Sequence, residues 1–209
     1  MKTMAQLLTA SYPVMPVLVI PTLESAVPLA KALAKGGAKV VEVTLRTPCS
    51  MAAIKAIKAA LPELIIGAGS VTTVEQVREV KATGASFAVS PGFLPALIQA
   101  AQVEQLPFLP GVMTPSEVLA AKAAGLDCVK LFPAELAGGT AMLKALSGPL
   151  AEMAFCPTGG VSESNCKAYL QLDNVRCVGG SWVAPMGAVE RGDWALIETL
   201  MRTASQLAP

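Results

Sequence analysis

The sequence predicts an α/β fold, a closed (β/α)8 TIM barrel with an N-terminal lead-in helix, and three observations predict it. Eight short apolar runs alternate with helix-forming segments, most runs are apolar on both faces, and no linker or low-complexity stretch interrupts the alternation. Strands apolar on both faces suit a parallel sheet covered by helices, and a count of eight favours a closed barrel over an open doubly wound sheet. The 209 residues are enough for one such domain, taken as 1–209.

In chain order, the opening M-K-T-M-A-Q-L-L-T-A-S-Y-P carries one lysine and a short, broken apolar segment. It reads as a lead-in helix rather than a secretory signal. The first strand is 14–20, V-M-P-V-L-V-I, and 23–34 follows with helical spacing until Gly36-Gly37 ends it. Strand 39–44 precedes an alanine- and isoleucine-rich helix over 50–60. Strand 64–68 leads to a helix opening at Thr72-Thr73, with Glu75 in its first turn. Strand 86–90 is followed by helix 94–105, and strand 107–111 by a helix that Thr114 caps and Pro115 starts. The sixth strand lies in 125–134 and precedes a helix over 139–146. The seventh is 153–157, with a helix after Ser162, and the eighth is 176–179. A helix over 194–206 closes the chain.

Composition excludes several function classes. Hydrophobic residues make up 53% and charged residues 15% of the chain, against about 25% charged in average domains. So little surface charge points to a subunit interface. A net charge of +1 gives no long-range field for nucleic acid or anionic lipid, and aromatic residues are few. No nucleic-acid partner is expected. No membrane span is expected either, since no apolar run approaches the roughly 20 residues needed to cross a bilayer. Cys49, Cys128, Cys156, Cys166 and Cys177 are odd in number, without a C-x-x-C pair or zinc spacing. Three of them sit inside apolar runs, where a reduced cysteine behaves as a small hydrophobe, and a reducing cytoplasm is expected. With no histidine in the chain, His-based triads, H-E-x-x-H zinc sites and imidazole acid–base chemistry are absent. No cluster of carboxylates and thiolates suggests a metal site. Lysine, carboxylates, hydroxyls and backbone amides remain.

Two strands carry charge where apolar residues are expected. In 40–46, V-V-E-V-T-L-R, alternation puts Val40, Glu42, Thr44 and Arg46 on one face and Val41, Val43 and Leu45 on the other. The apolar set suits the helix layer, so the charged set points inward. In 125–134, G-L-D-C-V-K-L-F-P-A, the same alternation sends Cys128, Lys130 and Phe132 inward. Charges inside a barrel are costly unless paired or used. Glu42, Arg46 and Lys130 therefore form either a structural ion cluster or a catalytic one. Thr44 and Arg46 close their strand at its C-terminal end, where barrel active sites are built. An amine nucleophile must be neutral when it attacks, and apolar surroundings favour that state.

A phosphate site is indicated independently. The seventh strand runs into Pro157-Thr158-Gly159-Gly160-Val161-Ser162 and the eighth into Val178-Gly179-Gly180-Ser181-Trp182. Barrels frequently bind phosphate with these two loops. Glycines let backbone N–H groups approach an anion, and Ser162 or Ser181 can add a hydroxyl.

Residues 37–46, G-A-K-V-V-E-V-T-L-R, together with 125–134, resemble the two signature stretches of the 2-keto-3-deoxy-6-phosphogluconate (KDPG) aldolase and 4-hydroxy-2-oxoglutarate aldolase family. The likeness continues through G-A-G-S-V from Gly67, S-P-G from Ser90, C-P-T-G-G from Cys156 and G-G-S-W from Gly179. The resemblance implies a (β/α)8 homotrimer and a class I aldolase that needs no metal or other cofactor. Its substrate would be a phosphorylated keto acid, cleaved to pyruvate and glyceraldehyde 3-phosphate, with 4-hydroxy-2-oxoglutarate as a second substrate. By motif, Lys130 would form the Schiff base and Glu42 would move protons. Arg46 would hold the carboxylate of the pyruvate half, helped by Thr158, and Ser70 stands where the family usually has threonine. Pro91 and Phe132 would line the pocket, and Gly159, Gly160, Gly180 and Ser181 would take the phosphate. Thr158 before the glycines resembles the gluconate-type enzyme more than the galactonate type.

Two other functions fit the same residues. A phosphosugar isomerase or epimerase would use Glu42 as base with Lys130 as electrostatic support. A non-catalytic, phospho-ligand-binding barrel would keep Lys130 and Glu42 as a structural pair.

Overall fold

Parallel pairing throughout frames the chain, a computed structural model of which describes residues 2–207. The lead-in helix α1 (Met4–Ala10) precedes β1 (Val14–Leu18), α2 (Leu23–Lys35), β2 (Val40–Thr44), α3 (Ser50–Ala60) and β3 (Ile65–Gly69). Then come α4 (Val74–Ala82), β4 (Phe87–Val89), α5 (Pro95–Val103), β5 (Phe108–Leu109), β6 (Gly111–Val112), α6 (Pro115–Ala123) and β7 (Cys128–Leu131). The chain ends with α7 (Gly139–Ser147), β8 (Ala154–Phe155), α8 (Cys166–Leu170), β9 (Val178–Gly180), α9 (Met186–Arg191) and α10 (Trp194–Ser205). The expected span 1–209 includes residues 1, 208 and 209, which lie outside the described residues.

The α/β alternation follows the sequence, with one division it did not suggest. The strands form a six-stranded parallel sheet, β5-β4-β3-β2-β1-β9, and a three-stranded one, β6-β7-β8, rather than one continuous eight-stranded sheet. The expected fifth strand breaks at Pro110, which has no N–H to give a ladder. Before it, Ala88 and Val89 pair with Phe108 and Leu109; after it, Gly111 and Val112 pair with Lys130 and Leu131. The expected strand over 153–157 keeps only Ala154–Phe155, and isolated parallel bridges, Phe155 with Val175 and Thr158 with Gly179, continue beyond it. Helix α9 had no counterpart in the sequence pattern.

Helix starts follow their caps. Thr73 and Thr114 each accept from the backbone N–H three residues on, Gln76 and Glu117, whose side chains return the bond. Pro95 and Pro115 occupy first positions, where a missing N–H costs nothing. Among the described residues no helix is long and apolar enough to cross a membrane.

The period-2 alternation sorts side chains into two cores. Val41, Val43, Val129 and Leu131 pack with the helices in the larger one. Met15, Val40, Phe87, Val89, Leu109, Cys128, Ala154, Cys156 and Cys177 form the second, drawn from the inner faces of both sheets. Helix α1 closes its lower end with Met4, Leu7 and Leu8.

Candidate active site

The inner alternation that buries Val40 also buries Glu42 and Thr44, and Lys130 follows Cys128 in the same way. Strands β2 and β7 belong to different sheets, yet Nζ of Lys130 lies 3.3 Å from Oε1 of Glu42, with side-chain exposures of 6% and 0%. The other carboxylate oxygen, Oε2, is buried without a hydrogen-bond partner among the described residues. An acceptor without a donor in a dry interior is unstable by itself, so Oε2 is the atom placed to meet a substrate hydroxyl or water. Thr44 does not compete for it, because its hydroxyl donates to the Leu18 carbonyl at 2.7 Å.

Beneath the pair lies a layer of thiols. Sγ of Cys177 donates to Sγ of Cys156 at 3.7 Å, and that bond, with burial, pushes the Cys177 thiol well up. Burial, with Asp127 adding to it, pushes Cys128 up as well. Both stay protonated at neutral pH and are poor nucleophiles. Lys130, the amine beside a carboxylate, is the nucleophilic candidate on geometry. Among the described residues, no group of three or more Cys, Asp or Glu side chains is arranged to hold a metal ion.

Above the pair, a cleft of about 180 Å³ opens at the C-terminal ends of the strands, lined by Arg46, Phe132, Thr158, Gly159, Gly160 and Ser181. Val17, Val19 and Val161 give it an apolar wall, and Gly179 completes the lining. The Phe132 ring links cleft and pair, its centroid 5.1 Å from Nζ of Lys130. Arg46 is exposed just past the end of β2, and its Nε donates to Oγ of Ser70 at 3.3 Å. Ser70 sits at φ +60°, a left-handed conformation uncommon for a residue with a side chain. Gly159 and Gly160 are left-handed too, at φ +92° and +80°.

The sequence-derived residues thus fall into three groups. Lys130 and Glu42 meet inside, while Arg46, Phe132, Thr158, Gly159, Gly160 and Ser181 share the cleft. Ser70 is tied to the cleft through Arg46. Gly180 and Pro91 stand apart from its lining: Gly180 is buried against the Trp182 ring, and Pro91 is exposed with its carbonyl against Gly111. Larger hollows, of about 320 and 350 Å³, lie beside Lys2 and Gln105 at the opposite ends of the strands, with no buried charged pair.

Sequence reasoning missed Gly69, Glu135 and Tyr169. Gly69 faces the Glu42 carboxylate from β3; the G-A-G run closing a strand beside a charged inner position was the available signal. Tyr169 donates its hydroxyl to Oε1 of Glu135 across 34 positions of sequence, and no local pattern announces that pairing.

Comparison with known proteins meets this geometry from another side. The family model "KDPG and KHG aldolase" matches residues 6–200. The chain is 47% identical over 203 residues to the KHG/KDPG aldolase of Escherichia coli (strain K12), covering 97% of this chain and 95% of that protein. It is 50% identical over 192 residues to the 2-dehydro-3-deoxy-phosphogluconate aldolase of Pseudoalteromonas atlantica, covering 92% and 89%. A crystal structure of KDPG aldolase from Legionella pneumophila, holding pyruvate captured at low pH as a covalent carbinolamine intermediate, matches with a TM-score of 0.94 at 46% identity. That match covers 97% of this chain and 98% of the other. With family, sequence and fold agreeing along almost its whole length, the chain belongs to the KDPG and KHG aldolase family.

Proposed function

We propose that the chain is a class I aldolase that cleaves 2-keto-3-deoxy-6-phosphogluconate to pyruvate and glyceraldehyde 3-phosphate, and also cleaves 4-hydroxy-2-oxoglutarate to pyruvate and glyoxylate. The observation that carries it is the buried pair, an amine 3.3 Å from a carboxylate whose second oxygen has no partner. Its relatives' names, and the carbinolamine captured in the Legionella enzyme, agree with that chemistry.

Lys130 passes its ammonium proton to Glu42 and, now neutral, adds to the C2 carbonyl to give a carbinolamine. Glu42 delivers the proton with which its hydroxyl leaves as water, and an iminium remains. Glu42 next takes the proton of the C4 hydroxyl. The C3–C4 bond breaks, its electron pair flows into the iminium to give an enamine, and the aldehyde departs. Glu42 returns that proton to C3 of the enamine, and water hydrolyses the resulting imine to release pyruvate and the amine. Covalent capture divides one hard step into several easier ones, and a carboxylate in reach typically contributes about 10²- to 10⁴-fold. Arg46 holds the substrate carboxylate with Thr158, Phe132 packs on the reacting carbons, and the loops of Gly159, Gly160 and Ser181 take the phosphate.

The scaffold proposed for this chemistry is one (β/α)8 barrel over 1–209. The inner core shared by both sheets supports closure, as do the bridges from Phe155 and Thr158 to the chain around β9. A homotrimer is proposed for the assembly, supported by low surface charge and by the exposed Leu94, Met113 and Leu119 at or beside α5 and α6. A reducing cytoplasm suits its five free cysteines.

Incubation with pyruvate and borohydride, followed by peptide mapping, tests the function. A reduced pyruvate adduct on Lys130 is expected. No adduct would favour the isomerase, in which Lys130 forms no covalent bond.

A further inference from the structure

A carboxylate stands beside the loop assigned to phosphate, and the aldol chemistry has no use for it. The N–H groups of Ala134 and Glu135 donate to the carbonyls of Thr158 and Gly159 at 2.8 and 3.1 Å, fastening the turn after β7 to the loop after β8. A Cβ at Gly160 would meet Cγ of Glu135 at 2.5 Å, so the Glu135 stem occupies the space of a side chain there. Its negative charge, if it swung toward the cleft, would oppose an incoming phosphate.

The structure restrains that charge. Oε1 of Glu135 accepts the hydroxyl of Tyr169 on α8, a residue 1% exposed. Both atoms lie beside Gly139, within 3.4 Å of where its Cβ would stand, at the first turn of α7. There the helix dipole favours a negative charge. Burial, with Glu135 beside it, pushes the Tyr169 phenol up, so it remains a donor at neutral pH.

We infer that Tyr169 is a positioning residue: by holding the Glu135 carboxylate at the start of α7 it keeps that charge off the cleft and sets the preference for phosphorylated over unphosphorylated keto acids. The preference rests on the aldolase proposed above; the anion site itself does not depend on it.

The test compares wild type, Tyr169→Phe and Tyr169→Phe/Glu135→Gln on 2-keto-3-deoxy-6-phosphogluconate and on 4-hydroxy-2-oxoglutarate, with inorganic phosphate binding measured by calorimetry on the same proteins. Tyr169→Phe should raise KM for the phosphorylated substrate about tenfold with kcat little changed, and move KM for the unphosphorylated one less than about twofold. The phosphate Kd should weaken in parallel, and the double variant should regain most of the loss. Equal losses on both substrates, no loss on either, or a loss that Glu135→Gln does not repair overturns the inference. Wild type that cleaves neither substrate sinks the aldolase and leaves the phosphate Kd series to decide the role of Tyr169. Should Tyr169→Phe fail to fold, Glu135→Asp decides, because its shorter side chain keeps the charge but no longer reaches the Tyr169 hydroxyl. Phosphate should then bind more weakly than in wild type, and an unchanged or tighter Kd overturns the inference.

Discussion

Gly69 makes room for Glu42: a Cβ on residue 69 would overlap the Glu42 carboxylate that reaches Lys130. Thr44 and Gly69 are register partners on β2 and β3, and the Glu42 side chain lies over the glycine from the neighbouring strand. Gly69→Ala should therefore displace the carboxylate while the sheet stays intact. A shift of about 1 Å at a reacting group can cost about 10²-fold in rate, and overpacking costs about 1–3 kcal/mol. The expected result is kcat down by about that factor with a folded protein in circular dichroism. Unchanged kcat would mean that Glu42 works from another position.

Lys130→Met separates the enzyme from a barrel that merely stores an ion pair. The substitution leaves Glu42 charged, buried and alone, at a cost of about 3–5 kcal/mol. Replacing both residues, Lys130→Met with Glu42→Leu, should recover most of that stability in urea denaturation. Turnover should be lost in both variants and no pyruvate adduct should form. Residual aldol cleavage in the double variant would remove Lys130 from the chemistry.

What could be read from the sequence followed a local period. Alternation of two predicted that Val40 and Cys128 share the inner core while Val41, Val43, Val129 and Leu131 face the helices, and both sets lie there. It placed Glu42 and Lys130 inward, and their meeting follows once both strands turn that face to one interior. Pairing between distant segments was not legible. Tyr169 and Glu135 are joined by chain geometry alone, and Gly69 gains its meaning only from a side chain on the next strand. Pro110 was visible as a residue without a donor, but its effect depends on which neighbour each half of the strand pairs with. Glycine pairs signalled an anion loop without telling which glycines face the cleft; Gly180, packed on Trp182, does not line it.

Glu117 gives stability a dependence on pH. Partial burial pushes its carboxyl up, but the N–H groups of Met113 and Thr114 and the Thr114 hydroxyl, at 2.7, 2.8 and 3.0 Å, outweigh it and hold the pKa below the ordinary 4.5. A carboxyl lowered in the folded state contributes stability above its unfolded value, and that contribution is lost as pH falls through the folded one. Wild type should thus lose stability more steeply than Glu117→Gln between about pH 5 and pH 3. Glu152, lowered by its bond to Lys122, is common to both proteins and drops out of the difference. Parallel pH profiles of Tm would show that the capping carboxylate titrates alike in both states.

Ser70 combines a strained backbone with a useful hydroxyl, and two substitutions pull these apart. At φ +60° any Cβ is crowded, while Oγ accepts from Nε of Arg46 and steadies a guanidinium at the edge of the cleft. Ser70→Ala and Ser70→Gly both remove the acceptor, so both should raise KM, by roughly twofold to tenfold for a partly solvated hydrogen bond, with kcat nearly unchanged. Only glycine relieves the left-handed strain, so Ser70→Gly should be about 1 kcal/mol more stable than Ser70→Ala. Ser70→Thr restores the hydroxyl and should restore KM, but its branched Cβ fits that conformation worst, and its Tm should fall below wild type. A KM that follows stability across the three variants, rather than the presence of the hydroxyl, would show that Ser70 serves only the turn and leaves Arg46 to orient itself.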